Sequence, residues 1–164
     1  MQPATAQQGT KGRKTRPEKK PFTRVRFVSA QLDATPDARA RVRVALAEGR
    51  KRFEAHVDGV GGETVVLRLA VEATIEALHS ATDSAGRLQL VGIKLVNAFD
   101  GRVVLVCLNS SLWPEAKLLG AVPVREGLEE AAARAVLAAT NRLVEKPDHH
   151  FGANGTNGEA PSEV

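Results

Sequence analysis

From Arg24 onward, side chains of opposite character alternate. Val25, Phe27 and Ser29 fall on one side of the alternation, and Arg24, Arg26 and Val28 on the other. That is the period-2 signature of a strand. Thr35-Pro36-Asp37 is a turn signal. Val42, Val44 and Leu46 then alternate with Arg41, Arg43 and Ala45, and Glu48-Gly49 marks a hairpin turn. Phe53, Ala55 and Val57 alternate with Arg52, Glu54 and His56. After Gly59-Val60-Gly61-Gly62 the period becomes helical through Leu67, Val71, Thr74, Ile75 and Leu78. Ala70, Ala73 and Ala77 flank that stripe and permit close packing. Gly86 and its neighbours break the pattern.

The second half runs the same programme. A strand is predicted over 88–98, a tight hairpin turn at Phe99-Asp100-Gly101, and a strand over 102–109. A loop over 110–115 holds Trp113-Pro114, and a third strand covers 116–124. A helix from 128 to 144 carries Ala132, Ala135, Val136, Ala139 and Leu143 on one face, and Pro147 closes it. The order is βββα-βββα. Ala70-Val71-Glu72-Ala73 and Leu78 precede Ala135-Val136-Leu137-Ala138 and Leu143 by 65 residues, which suggests duplication. The expected fold is α+β, with both helices on one face of a joined antiparallel sheet. A single domain covers residues 22–146, with halves at about 22–82 and 87–146.

The other sheet face differs between the halves. In the first it is polar and basic. In the second, Val104, Val106 and Leu108 point one way while Val103, Leu105 and Cys107 point the other. A strand apolar on both faces is expected to be covered on both. Helices cover one, so a second subunit is expected over the other, with Val103, Leu105, Cys107 and Trp113 at a homodimer interface.

Charge is uneven along the chain. Residues 1–24 carry Lys11, Arg13, Lys14, Arg16, Lys19, Lys20 and Arg24 against Glu18 alone, a net +6 within a total of +4. The remaining 140 residues therefore sum to −2, which excludes a uniformly basic globule. Residues 1–21 and 147–164 lack apolar periodicity and are expected to be disordered. The start has no apolar core of a secretory signal, and no run approaches a membrane span of ~18 residues. A cytoplasmic protein with no membrane partner is expected. The heavy use of Ala, Arg and Val suits a GC-rich bacterial genome.

Few residues carry chemistry. A lone Cys107 excludes an internal disulfide and suits a structural thiol. No Ser-His-Asp grouping, paired-carboxylate motif or His-Glu-x-x-His pattern is present, so no catalytic residue, metal site or cofactor is expected. Gly59, Gly61 and Gly62 precede a helix whose first residues are Glu63 and Thr64. Backbone N–H groups there could hold a carboxylate or phosphate; equally, the glycines could serve a turn that needs positive φ. Glu126 and Gly127 open the second helix in the same way. Arg24, Arg26, Arg41, Arg43 and Arg52 on the first-half sheet face, with the tail cations Lys11, Arg13, Lys14, Arg16, Lys19 and Lys20, could bind nucleic acid. The alternatives are a solvated sheet face and a solubilising tail. Base-stacking aromatics are missing from that face, because Phe27 and Phe53 alternate inward.

Two segments carry a family resemblance. One is Gly59-Val60-Gly61-Gly62 leading into a helix with Ala73 and Leu78. The other is the last helix from Glu130 through Ala135-Val136 to Asn141-Arg142-Leu143. Both resemble the C-terminal regulatory domain of 2-isopropylmalate synthase and citramalate synthase, which has a Gly-x-Gly-Pro turn and the duplicated βββα order. Gly62 stands where that family has Pro, and Glu126-Gly127-Leu128 replaces an acidic Asp-Ile-Ile-like segment. The catalytic barrel with its His-x-His metal site has no counterpart in these 164 residues. The resemblance implies a stand-alone, non-enzymatic relative of that domain. It also implies feedback binding of leucine or isoleucine at a dimer interface. The expected role is therefore a dimeric regulatory domain that binds a small carboxylate or amino acid. The alternative is a nucleic-acid-associated protein.

Overall fold

Among the described residues, eight elements follow in the order that the periodicity predicts. The computed structural model describes residues 24–82 and 86–144, with side chains as far as Asn141. The two terminal segments expected to be disordered, 1–21 and 147–164, lie outside the described residues. The strands and helices are β1 (Arg26–Ala34), β2 (Arg39–Glu48), β3 (Lys51–Val60), α1 (Glu63–Ala81), β4 (Leu88–Ala98), β5 (Gly101–Ser110), β6 (Trp113–Pro123) and α2 (Leu128–Val144). The class is α+β with a duplicated βββα unit.

Turn chemistry fixes the hairpins. Gly49 takes φ 58° between β2 and β3. Between β4 and β5, Phe99 and Asp100 both have positive φ, 52° and 60°, the backbone of a type I′ turn. The β5–β6 connection is tighter than expected. Trp113 is not in a loop: it is the first residue of β6 and pairs with Ser110.

Each half forms an antiparallel meander, β1-β2-β3 and β4-β5-β6. The two meanders are separate three-stranded sheets, not one continuous ladder. Their first strands show why. β1 has a register break around Val28, and β4 has one around Val91. A bulge leaves one residue unpaired and bends the strand, so a bulged edge is a poor partner for another strand. The same irregularity in the same strand of both halves also supports duplication more strongly than the Ala-rich helix match does.

The helices join the halves. α1 packs on β2 and β3, α2 on β5 and β6, and the two helices pack on each other. α2 also reaches β1, and α1 reaches β4. Ten α1 residues are buried, from Val66 to Leu78. At 3.6 residues per turn they span about two thirds of the circumference, which a helix needs when both a sheet and a second helix cover it. Val42, Val44 and Leu46 from β2 and Val104, Val106 and Leu108 from β5 are buried beneath the helices. Each such Leu contributes roughly 1.5–3 kcal/mol on leaving water. α2 supplies Ala131, Ala132, Ala133, Ala135 and Ala139, all buried. Small side chains let its backbone press on β6 at Gly120. A Cβ there would fall on the Ala135 carbonyl and 2.9 Å from the Ala139 nitrogen.

Candidate functional site

The junction of β3 and α1 sits at one end of the first sheet. Gly61 has φ 146°, which favours glycine, and its N–H donates to the Ala38 carbonyl at 3.0 Å. Gly62 has φ −91° and open space around its Cα, so its own conformation does not require glycine. Its carbonyl accepts from the N–H groups of Val65 and Val66, starting α1 without a side-chain cap. Thr64 is exposed.

A cavity of about 530 Å³ lies beside this junction. Asp33, Arg39, Arg41 and Asp58 line it, with Thr35 and an apolar part made by Ala40, Gly59 and Val60. Strand register explains the grouping. Arg41 of β2 lies directly opposite Asp33 of β1 and Asp58 of β3. Cross-strand neighbours share a face, so one row places a guanidinium between two carboxylates. Arg41 donates from Nε to Asp58 Oδ1 at 2.6 Å and from Nη2 to Oδ2 at 3.1 Å, a two-point pair. The hydrogen bonds to Asp58, then its charge, hold the Arg41 guanidinium above its ordinary pKa. Those same bonds hold the Asp58 carboxyl below the usual carboxylate range, against a smaller opposing effect of desolvation.

Of the first predicted ligand segment, Gly59 lines this cavity, while Gly61, Gly62, Glu63 and Thr64 do not. Glu126 and Gly127 line a different cavity of about 400 Å³, with Arg125, Glu130 and Arg134 around it. Arg102 links Glu63 of the first segment to Val124, two residues before Glu126. Its Nη1 reaches Glu63 Oε1 at 2.5 Å, and its carbonyl accepts from Val124 N at 2.8 Å. Asp33 and Arg39 were missed as pocket residues, because they join Asp58 only once the strand register is known.

The arginine-rich face divides along its length. Arg41 and Arg43 stand at the end where β1 turns into β2, and both are paired: Arg41 with Asp58, and Arg43 Nη2 with Asp33 Oδ2 at 3.5 Å. Arg39 Nε pairs with Asp37 Oδ2 at 3.1 Å. Arg26 and Arg52 stand at the other end, both opposite Ala47. Arg52 pairs with Glu54 at 2.6 Å. Arg24 is exposed just before β1. Lys11, Arg13, Lys14, Arg16, Lys19 and Lys20 lie outside the described residues.

On the second sheet, Val103, Leu105 and Cys107 point away from the helix-facing row Val104, Val106 and Leu108. Leu119 lies opposite Cys107, and Val96 opposite Val103. Within one chain this face is open: Leu119 is 67% exposed and Leu105 38%, while Val103 and Cys107 are half-buried. Trp113 is 40% exposed at the start of β6.

Among the described residues, no group of three or more His, Cys, Asp or Glu side chains is placed to hold a metal. No described helix is long and apolar enough to cross a membrane. Compared with protein-family models and with curated proteins, the chain matches none.

Proposed function

We propose that this chain is a non-enzymatic regulatory domain that works as a pair of identical copies and takes a small carboxylate or amino acid. The observation that carries this reading is the open apolar face of the second sheet, centred on Leu105, Cys107 and Leu119. Its centre is uncharged, so a copy related by a two-fold axis meets it with the same apolar surface. Lys94 of β4 stands directly opposite Leu105, and Lys117 of β6 opposite Asn109, so charge borders the apolar residues on both flanking strands, and polar rims around apolar centres are the usual anatomy of an interface. The cavity beside β3 supports the ligand half of the reading. Arg39 and Arg41 offer donors to a carboxylate, Asp33 and Asp58 accept from an ammonium, and Ala40 and Val60 offer apolar surface. The resemblance to the regulatory domain of 2-isopropylmalate synthase points the same way, toward leucine or isoleucine.

Light scattering on the full chain at tens of micromolar tests the pairing. A dimer that Leu119→Lys splits into folded monomers is the expected result; a monomeric wild type would overturn it. A thermal-shift screen with leucine, isoleucine and other small carboxylates tests the ligand. At a hundredfold excess over Kd the gain is about 2.7 kcal/mol, a readily measured rise in Tm. Arg41→Gln is expected to remove the shift. An unchanged Tm across the screen would sink the ligand half.

A further inference from the structure

Two three-stranded sheets have four edge strands between them, here β1, β3, β4 and β6. Three of them carry a device against pairing. β1 is bulged at Val28 and β4 at Val91. β6 has a register break between Trp113 and Lys117, with Pro114 and Pro123 in the strand. β3 has neither bulge nor Pro: it pairs with β2 from Lys51 to Val60 without a shift. Among the described residues, no strand lies on its other side. Its side chains alternate strictly. Phe53, Ala55 and Val57 lie on the helix-facing row, opposite Leu46, Val44 and Val42, while Arg52, Glu54, His56 and Asp58 stand exposed on the outer row. Residues at equal distances on either side of Ala55 are complementary: Glu54 with His56, and Arg52 with Asp58.

We propose that the free edge of β3 pairs with β3 of a second copy of this chain, antiparallel and centred on Ala55, to make one six-stranded sheet. Charge complementarity chooses that occupant and its register. Arg52 then faces Asp58 of the second copy and Glu54 faces its His56, and each pair occurs twice about a two-fold axis. The cross-strand row Asp33, Arg41, Asp58 continues in alternating sign with Arg52 of the second copy. A slip of two residues sets Glu54 against itself in one direction and against Asp58 in the other. A slip of one turns the outer row against the inner one. On the helix-facing side Phe53 meets Val57, and Ala55 meets Ala55. α1 packs on both β2 and β3. At the usual strand spacing the two copies of α1 therefore run roughly 10 Å apart, close to the spacing of packed helices. This edge is separate from the apolar face of the second sheet, and the pairing does not depend on the regulatory reading. An edge contact is small, below ~1,200 Å² in all, which is the range of weak complexes.

Sedimentation velocity on the full chain carrying Leu119→Lys, from about 20 μM to about 1 mM, is the test, because that change removes the face contact. A monomer–dimer transition with a Kd on the order of 100 μM is expected, with amide exchange slowed in β3 and unchanged in β6. In the same background His56→Glu sets two carboxylates opposite each other, and Glu54→Lys sets an ammonium opposite His56. Each is expected to weaken pairing at least about tenfold. An equimolar mixture of the two is expected to restore it: one end keeps Glu54 with His56, and the other gains an ammonium opposite a carboxylate. Arg52→Glu, which faces Asp58, provides a third break should either variant melt early. Four results would each overturn the proposal: a monomer throughout the range, His56→Glu with the parent's Kd, a mixture of folded variants that stays monomeric, or protection gained at β6 in place of β3. A wild type that is monomeric at tens of micromolar bears on the second-sheet face alone.

Discussion

Arg102 and Glu63 are 39 residues apart in sequence and meet at 2.5 Å, joining the first turn of α1 to the start of β5. The pair crosses from one βββα unit to the other. Both side chains are about half exposed, so solvent screens them, and such pairs contribute about 0–1 kcal/mol. A double-mutant cycle on Arg102→Ala and Glu63→Gln should give a coupling of about 0.5 kcal/mol that fades in molar salt. A coupling above ~2 kcal/mol, unaffected by salt, would mean that the pair is shielded from water by a partner.

Gly120 is the point where β6 and α2 touch backbone to backbone. Gly120→Ala forces the added methyl against the Ala135 carbonyl and the Ala139 nitrogen. Neither can move without shifting α2. A loss of ~3 kcal/mol, the top of the usual overpacking range, is expected in urea denaturation. Gly62→Ser has open space and supplies the missing cap of α1, so it should gain a few tenths of a kcal/mol.

Phe99 combines two costs. It has φ 52° at the tip of the β4–β5 hairpin, and it is 99% exposed. Type I′ turns favour Asn or Gly at that position. Phe99→Asn should raise stability by about 1 kcal/mol and leave the strand register intact. A lower Tm for this variant would show that the ring makes contacts outside the single chain.

The Arg41–Asp58 pair contributes to the pH dependence of stability on the acid side. The folded-state pKa of Asp58 is lowered by the hydrogen bonds from Arg41. Its contribution is therefore complete above the unfolded-state pKa and is lost as pH falls through the folded value. Wild type should lose more stability than Asp58→Asn on acidification from neutrality. Parallel denaturation curves for the two across that pH range would contradict this. In Arg41→Gln the carboxyl should titrate higher, which the Asp58 carboxyl carbon would report by NMR.

The order of elements was legible because period and turn residues repeat in register with the fold. Val42-Val44-Leu46 against Arg41-Arg43 reads directly as a half-buried strand, and the stripe from Leu67 to Leu78 as a buried helix face. What could not be read was anything that depends on pairing register. The bulges at Val28 and Val91 leave a trace, a flip of the inward row from Val25 and Phe27 to Ala30 and Leu32 and from Leu88 and Leu90 to Ile93 and Leu95, but nothing in it tells that two sheets form where a joined one was expected. The first-half arginines look like a uniform basic face along the chain. Only the alignment of Asp33 and Asp58 beside Arg41 separates neutral from cationic ends. Gly120 had no local signal at all, because its reason lies on α2. Pro114 misdirected the start of β6: a residue poor for a central strand is tolerated where β6 is the sheet's edge.

Among the described residues, no hydrogen bond between two backbone groups links residues 24–82 to residues 87–144; the Leu88 N–H donates to His79 Nε2 across them at 3.1 Å. The two ladders are each closed within one unit, and the contact between units is side-chain surface carried largely by α1 and α2. Parting the units would thus wet apolar, alanine-rich helix faces and free the Leu88 N–H from His79, while leaving both strand ladders intact. In native-state hydrogen exchange such an opening would be silent at the ladder amides and would show at Leu88 and to a probe of the helix surface. A thiol placed at the buried Ala73 or Ala135 would become reactive before the amides of the central strands β2 and β5 gave up their protons.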